Sequence, residues 1–384
     1  MLLRRFFAGQ RSPQLRRSRT SLPRFAGTWL FLTLVGCATP SATTLPPTDE
    51  GDNPRVLGMP SDPPARPEPT RAETGAVSLI WENDFFAGKD QNYTNGLTLG
   101  YLTPPIGSLS RGNWLRRYAE LFHFLPEFGE EDREERIAFA LVHTMFTPED
   151  IEDPDPPLGE QPYAGVASLD QSFISRGDGE QHSYLLRLGW VGPRTSADDL
   201  QITVHEWIDS DEPLGWSTQL PNEGIVNFGY EYRRQVGKVT SGSFSADAVV
   251  AIGGHFGTYF TGGNAGLTGR LGWNLPDPIG GTSPQRGLQS EGFRAGDRGH
   301  GWRFGLHAGV EGFAIAHYLP LDGTVFRDSR SVDDRAPWVG SARAGFDLGI
   351  GRFGLGFSYQ VFTETFREER EQNEFGTIVF SWSF

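Results

Sequence analysis

The stretch WRFGLHAGVE at residues 302–311 decides the fold: Trp302, Phe304, Leu306, Ala308 and Val310 alternate with Arg303, Gly305, His307, Gly309 and Glu311. A period of two sends one set to each face of an extended strand, so one face is greasy and the other polar or small. The habit recurs on either side of this segment. Phe353, Leu355, Phe357, Tyr359 and Val361 alternate with Gly354, Gly356, Ser358 and Gln360, and Leu97, Leu99 and Tyr101 alternate with Thr94, Gly96, Thr98 and Gly100. From Phe244 to Ile252 the same pattern puts Ser245 and Asp247 inside. The chain ends in Ile378, Phe380, Trp382 and Phe384, alternating with Thr377, Val379, Ser381 and Ser383. A last strand closing on an aromatic resembles the assembly signal of bacterial outer-membrane barrels, which makes the barrel assembly machinery an expected partner during biogenesis.

A soluble β-sandwich also alternates, so the remaining features must choose. The chain has 384 residues with 49 Gly, 28 Phe, 10 Trp and 10 Tyr but only 3 Met. Glycine and aromatics at this level mark short-turned strands banded by interfacial rings. No run of 18 apolar residues exists, so a spanning helix is not expected, and a mean hydropathy below zero suits strands whose lipid-facing and lumen-facing residues average out. The first 36 residues hold seven Arg and no acid, followed by the apolar stretch Ala26 to Gly36. That is the order of a secretory signal peptide. Its removal would take the formal net charge from −14 to −21, which argues against nucleic acid as a partner. The single cysteine, Cys37, follows Leu34-Val35-Gly36 as in a lipobox, whose cysteine is acylated; a chance cysteine in an ordinary signal is the alternative. Residues 37–75 are rich in Pro, Thr, Ser and acids, a flexible tether that cannot bury a core. Residues 76–384 then form the expected domain: an all-β transmembrane antiparallel barrel of about 12 strands of ~9–11 residues each, with a short helix at its site.

Two segments break the alternation. Leu115 to Leu125 suits a short helix or a loop insertion. From Ser196 to Ile208 the spacing predicts a helix with Ser196 as N-cap, Asp198 and Asp199 in its first turn, and an apolar stripe of Leu200, Val204, Trp207 and Ile208. Gln201 and His205 lie one turn apart beside that stripe. The loops Thr147 to Glu160 and Asp277 to Gly299, full of Pro, Gly and Asp, belong at an aqueous rim. His307 and His255 read as lumen-lining polar residues, and Arg187 and Arg303 as partners of acids inside the lumen.

The chemistry-bearing segment is Trp81-Glu82-Asn83-Asp84, followed by Tyr93-Thr94-Asn95-Gly96-Leu97. Carboxylate, carboxamide and hydroxyl oxygens crowded at a strand end suit a hard cation such as Ca²⁺, with Asp84 and Asn83 as candidate ligands; a polar strand-to-loop turn is the plainer alternative.

These segments carry a resemblance. E-N-D-x-F at Glu82 to Phe86, Y-T-N-G-L at Tyr93 to Leu97, P-Y-A-G at Pro162 to Gly165, G-P-x(7)-Q-x(3)-H from Gly192 to His205, P-x-G-W-x(2)-Q-L-x-N-E from Pro213 to Glu223, and L-D-G-x-x-F-x-D-S from Leu321 to Ser329 occur in the order found in the lipid A 3'-O-deacylase family. The chain from Ala76 to Phe384 resembles that family, though no single motif is specific. The resemblance implies a 12-stranded outer-membrane barrel with its site between the barrel wall and a helix. It also implies lipopolysaccharide as substrate and outer-membrane lipids as surroundings, site residues Asn83, Asp84 and Thr94, the base His205, and an orienting Gln201. An acid following the histidine is matched by either Asp211 or Glu212.

Ester hydrolysis needs an activated nucleophile and stabilisation of the oxyanion. Histidine can take a proton from water near neutral pH, Ca²⁺ can polarise the carbonyl, and Thr94 or Asn83 can donate a hydrogen bond or complete the metal shell. With no G-x-S-x-G elbow in the sequence, water is the natural nucleophile. The reading expects His205 against the inner rim of the barrel, close to Asn83 and Asp84. Its competitors are an outer-membrane phospholipase and a non-catalytic barrel acting as pore or structural protein.

Overall fold

The computed structural model describes residues 75–84, 92–276, 301–367, 369 and 373–384. The expected signal segment, Cys37, the expected tether up to residue 74, Phe86 and the loop Asp277 to Gly299 lie outside the described residues.

Twelve antiparallel strands, each bonded to its sequence neighbours, close into a barrel when β1 (Ala76–Asn83) pairs with β12 (Glu374–Ser383). Between them run β2 (Asn92–Leu102), β3 (Glu134–Thr147), β4 (Ala164–Gly177), β5 (Glu180–Val191), β6 (Glu223–Ser241), β7 (Phe244–Gly257), β8 (Phe260–Trp273), β9 (Trp302–Tyr318), β10 (Trp338–Ile350) and β11 (Phe353–Phe362). Closure leaves no unpaired strand edge, which is the condition for placing a sheet in hydrocarbon. Several strands are longer than a tilted membrane span requires, β6 reaching 19 residues and β9 17, because they continue past the apolar band.

Alternation sorts the side chains as expected. Leu306 and Val310 are exposed on the outside of β9, whereas His307 is buried within. His255 is buried too. Inside, Arg187 grips Asp170 through two bonds of 3.0 Å and lies 4.3 Å from the Tyr259 ring centroid. Arg270 makes a similar fork on Asp247, and Asn264 reaches Glu231 and Glu311. These polar groups are cross-linked rather than left to an open channel.

The chain termini share one barrel end, where Ala76 pairs with Ser383. That end carries the tight turns Gly177–Glu180, Ser241–Phe244 and Ile350–Phe353, the short connections that face the periplasm in bacterial barrels. At the opposite, extracellular end, Tyr93, Phe146, Val166, Ile225, Phe260, Phe313, Val339, Phe362 and Phe375 belong to one buried cluster. Since these residues come from strands all around the circumference, the cluster crosses and fills the lumen there.

Among the described residues three α-helices interrupt the meander, one of them a single turn at Leu319–Asp322 between β9 and β10. Helix α1 (Trp114–Glu120) lies in the β2–β3 connection at the terminal end, and α2 (Ala197–Ile208) in the β5–β6 connection at the extracellular end.

Candidate functional site

Helix α2 forms where its periodicity places it, with Ser196 at the N-cap position, but that residue's conformation and the helix's orientation differ from expectation. Ser196 is in the left-handed region (φ 52°, ψ 33°) and its hydroxyl caps nothing, because the 3₁₀ turn Pro193–Thr195 feeds straight into the helix. Asp198 and Asp199 in the first turn still complement the helix dipole. The apolar stripe does not pack: Leu200, Val204 and Trp207 are exposed, Trp207 to 69%. Ala197, Gln201 and His205 are the buried positions instead. The helix therefore turns its polar face to the protein and its greasy face outward.

What it packs against is the outside of the barrel. On β4, Leu169 faces outward and Asp170 inward, so Gly165 and Ala167 share the outward face. A Cβ on Gly165 would lie 2.2 Å from Thr195 Oγ1 and 2.4 Å from the Ala197 Cβ. Only glycine lets the start of α2 approach the wall this closely. On β3, exposed Leu141 sets the outward parity, which His143, Met145 and Thr147 share. Met145 packs with Ala197, Tyr163 and Trp216 in one buried cluster, and a His143 ring nitrogen donates to the Thr195 carbonyl at 3.1 Å. Trp216 Nε1 donates to Gln201 Oε1 at 2.7 Å, pinning the middle of α2 to the same cluster. The expectation of an inner-rim site is thus corrected: the lumen beneath is already filled, and the helix rests on the lipid-facing wall.

The strand residues of the site reach that same face. Outward Leu79 and Trp81 on β1 carry Asn83 with them by parity, and Asn83 pairs with Asn95. Asn95 Oδ1 accepts from Asn83 Nδ2 at 3.3 Å and from Trp81 Nε1 at 2.9 Å. Strict alternation sets Thr94 opposite Leu97, that is, inside. A bulge changes this, since β3 residues Phe146 and Met145 pair with Tyr93 and Asn95, leaving Thr94 as the extra residue. Tyr93 consequently turns into the lumen and donates to Glu82 at 2.6 Å, while the Thr94 hydroxyl meets that of outward-facing Thr147 at 2.6 Å. Asp84 follows the last β1 residue and is buried. Asn83, Asn95, Met145 and Gly165 form one register row across β1 to β4, three strand spacings or about 14 Å wide.

His205 is in the last turn of α2. After it the chain reverses through Asp209 in the left-handed region, and a His205 ring nitrogen, Nδ1, lies 2.6 Å from the Asp211 carbonyl. A carbonyl only accepts, so Nδ1 carries the hydrogen and Nε2 the lone pair. Asp211 thus meets the imidazole through its main chain, and the side chains of both Asp211 and Glu212 are exposed. Beside α2 the outward side chains Leu97, Leu99, Leu141, His143, Leu169 and Leu188 line an open, mostly apolar groove on the wall. Sequence reading missed His143, Thr147, Trp216 and Gly165; the last two sit in its own G-W and Y-A-G motifs, and outward parity on β3 would have found the first two.

The close approach at Gly165 yields a direct test. Gly165→Val should push the start of α2 off the wall, so that limited proteolysis cuts the Gly192–Asp209 segment at least about tenfold faster than in the parent. The barrel should still run as a folded species on unheated gels, and a cleavage rate equal to the parent's would refute the contact.

Comparison with known proteins agrees with this architecture. The model of the family described as outer membrane protein LpxR matches residues 40–384. Among solved structures, LpxR from Salmonella typhimurium is similar at a TM-score of 0.65 and 16% identity, covering 80% of this chain and 100% of that one. The β domain of the Bordetella autotransporter BrkA follows at 0.40 and 11%, covering 82% and 100% of the two chains. The translocator domain of NalP from Neisseria meningitidis scores 0.34 at 9%, covering 82% and 90%. A search of curated protein sequences gave no match. With its twelve-stranded closed barrel and a family match that runs from residue 40 to the last residue, this chain belongs to the outer membrane protein LpxR family and is an outer-membrane protein.

Proposed function

We propose that this chain is a lipid A deacylase that hydrolyses the ester of the 3'-linked acyloxyacyl group of lipopolysaccharide in the outer leaflet. The observation that carries the reading is the reversed helix: α2 holds Gln201 and His205 against the outside of the wall while Leu200, Val204 and Trp207 face hydrocarbon. A lipid ester can enter such a slot sideways from the leaflet, with its acyl chains along the apolar groove beside α2. The extracellular placement of α2 matches the leaflet that holds lipopolysaccharide.

In this reading His205 is the general base. Nδ1–H is held by the Asp211 carbonyl, so Nε2 takes the proton from water as the water oxygen bonds to the ester carbonyl carbon. On collapse of the tetrahedral intermediate the bond to the sugar oxygen breaks, and the imidazolium returns its proton to that oxygen; the acyl group leaves as the free acid. Gln201, fixed by Trp216, orients the helix face, and Thr94 and Asn83 offer hydrogen bonds to the developing oxyanion.

The strand residues also suit Ca²⁺. Asn83 supplies a carboxamide, Thr94 a hydroxyl and Asp84 a buried carboxylate near the ends of β1 and β2. Oxygen donors of this kind fit a hard cation. Among the described residues no three His, Cys, Asp or Glu side chains gather, so amide, hydroxyl and substrate oxygens would complete the shell. Asn83 and Asp84 would hold the ion, which when bound supplies Lewis-acid polarisation of the ester carbonyl.

Mass spectrometry of lipid A from cells with and without the chain tests the proposal, the expected result being a mass loss equal to the 3'-linked acyloxyacyl group. Purified protein given lipid A or phosphatidylethanolamine, with and without chelator, separates it from a phospholipase. Acyl release from the phospholipid alone would sink it.

A further inference from the structure

We infer that the β2–β3 connection around α1 is a second membrane-contacting element, seated in the phospholipid of the periplasmic leaflet beneath α2 on the same wall. This inference rests on the barrel and its location, not on the deacylase reading.

Three observations carry it. First, α1 lies on the outside of the barrel. Tyr118 and Gln171 exchange hydrogen bonds of 2.9 and 2.8 Å, Phe122 stacks on Phe173 at 4.0 Å, and Tyr184 donates to the Pro126 carbonyl at 2.9 Å. Gln171 and Phe173 share the outward parity of Leu169, and Ile106, Ala119, Phe128, Ile137 and Phe173 make one buried cluster under the connection. The connection thus spreads along the lipid-facing surface rather than away from it. Second, its far side is apolar where water would disfavour it. Trp114 (66%) on α1 and Leu121 (68%) and Phe124 (75%) in the turns that follow it are exposed, with exposed Arg117 one turn after Trp114, exposed Arg111 just before the helix and exposed Glu120 at its end. Tryptophan and arginine beside exposed Leu and Phe is the composition of a segment lying in a headgroup boundary.

Third, the height is right. On β4, Gly165 sits under α2 and Phe173 under α1, eight residues apart, about 26 Å along the strand and about 20 Å along the membrane normal at a tilt of ~40°. The apolar band of such barrels is about 25 Å tall, so α2 and α1 occupy its two edges. Because the exposed stripe continues the lipid-facing band of β3 to β5, its occupant is phospholipid, with acyl chains against Leu121 and Phe124 and phosphates within reach of the two arginines.

The test uses the full chain with Cys37→Ser and one new cysteine, Leu121→Cys or Phe124→Cys, labelled with a small fluorophore and folded into vesicles of phosphatidylethanolamine and phosphatidylglycerol. Leu169→Cys serves as the lipid-facing reference and Glu131→Cys as the aqueous one. A nitroxide carried high on the phospholipid acyl chain should quench the labels at 121 and 124 at least about threefold more strongly than the label at 131, approaching the value at 169. Both positions are exposed, so neither substitution threatens folding. Quenching equal to that at 131 overturns the inference, and so does protection from both lipid-borne and water-soluble quenchers, which would mean that a protein covers the stripe.

Discussion

Replacing His205 by alanine is expected to lower lipid A deacylation by about 10²- to 10⁴-fold, the usual contribution of a positioned general base. The geometry makes this a clean substitution. His205 projects from the last turn of a helix lying outside the barrel, where its Nδ1 donates to the Asp211 carbonyl at 2.6 Å, and it belongs to none of the twelve strands that close the barrel. The loss should fall on kcat more than on KM, because proton removal from water is a transition-state interaction. His205→Gln keeps a polar side chain of similar reach yet has no basic nitrogen; it should be as inactive as alanine, which separates base chemistry from packing. Turnover of labelled lipid A by the two purified variants is the measurement. A His205→Ala protein within about threefold of wild type would exclude the imidazole from the reaction.

How far the sequence reached is set by what periodicity encodes. Residues 302–311 told the faces of their part of β9 correctly, because a stretch in unbroken register has only one way to alternate; the bulge of β9 lies beyond it, at Ala316. At Thr94 the same logic failed. The bulge between Tyr93 and Asn95 exchanges the faces of everything before it, and a bulge is a property of two strands in register, which one strand's pattern does not reveal. Helix α2 shows a second limit. Amphipathicity located it and grouped Gln201 with His205, yet the apolar stripe that would face the core in water faces outward here, since hydrocarbon solvates Leu200, Val204 and Trp207 as well as a protein core does. Trp216 and Gly165 stood in view within their motifs, but their roles depend on contacts with Gln201, Thr195 and Ala197 that only the folded chain brings about.

The largest expected stability effect lies on the other side of the same wall. Arg187 and Asp170 face the lumen from adjacent strands, both at 2% exposure, joined by a bidentate pair of 3.0 Å bonds, with Ser168 donating to the same carboxylate at 2.8 Å. Removing one partner takes the bidentate cation away from a buried carboxylate, so Arg187→Ala should cost about 3–5 kcal/mol. That substitution also strips the guanidinium from its place against the Tyr259 ring. Removing both charges while keeping the volume, as in Arg187→Met with Asp170→Leu, should restore stability to within about 1 kcal/mol of the parent, because the desolvation cost of the pair disappears together with its attraction. Reversible urea unfolding in lipid vesicles, followed by tryptophan fluorescence, ranks the three proteins. The outward neighbours on these strands, Leu169 and Leu188, line the groove beside α2, and alternation keeps them apart from the lumen pair. Each folded variant should therefore retain lipid A turnover within about twofold, since surface and lumen substitutions on opposite faces couple weakly. If the single substitution proved as mild as the double, the lumen would be wet enough to screen the charges, and the interior would be a solvated channel rather than a cross-linked core.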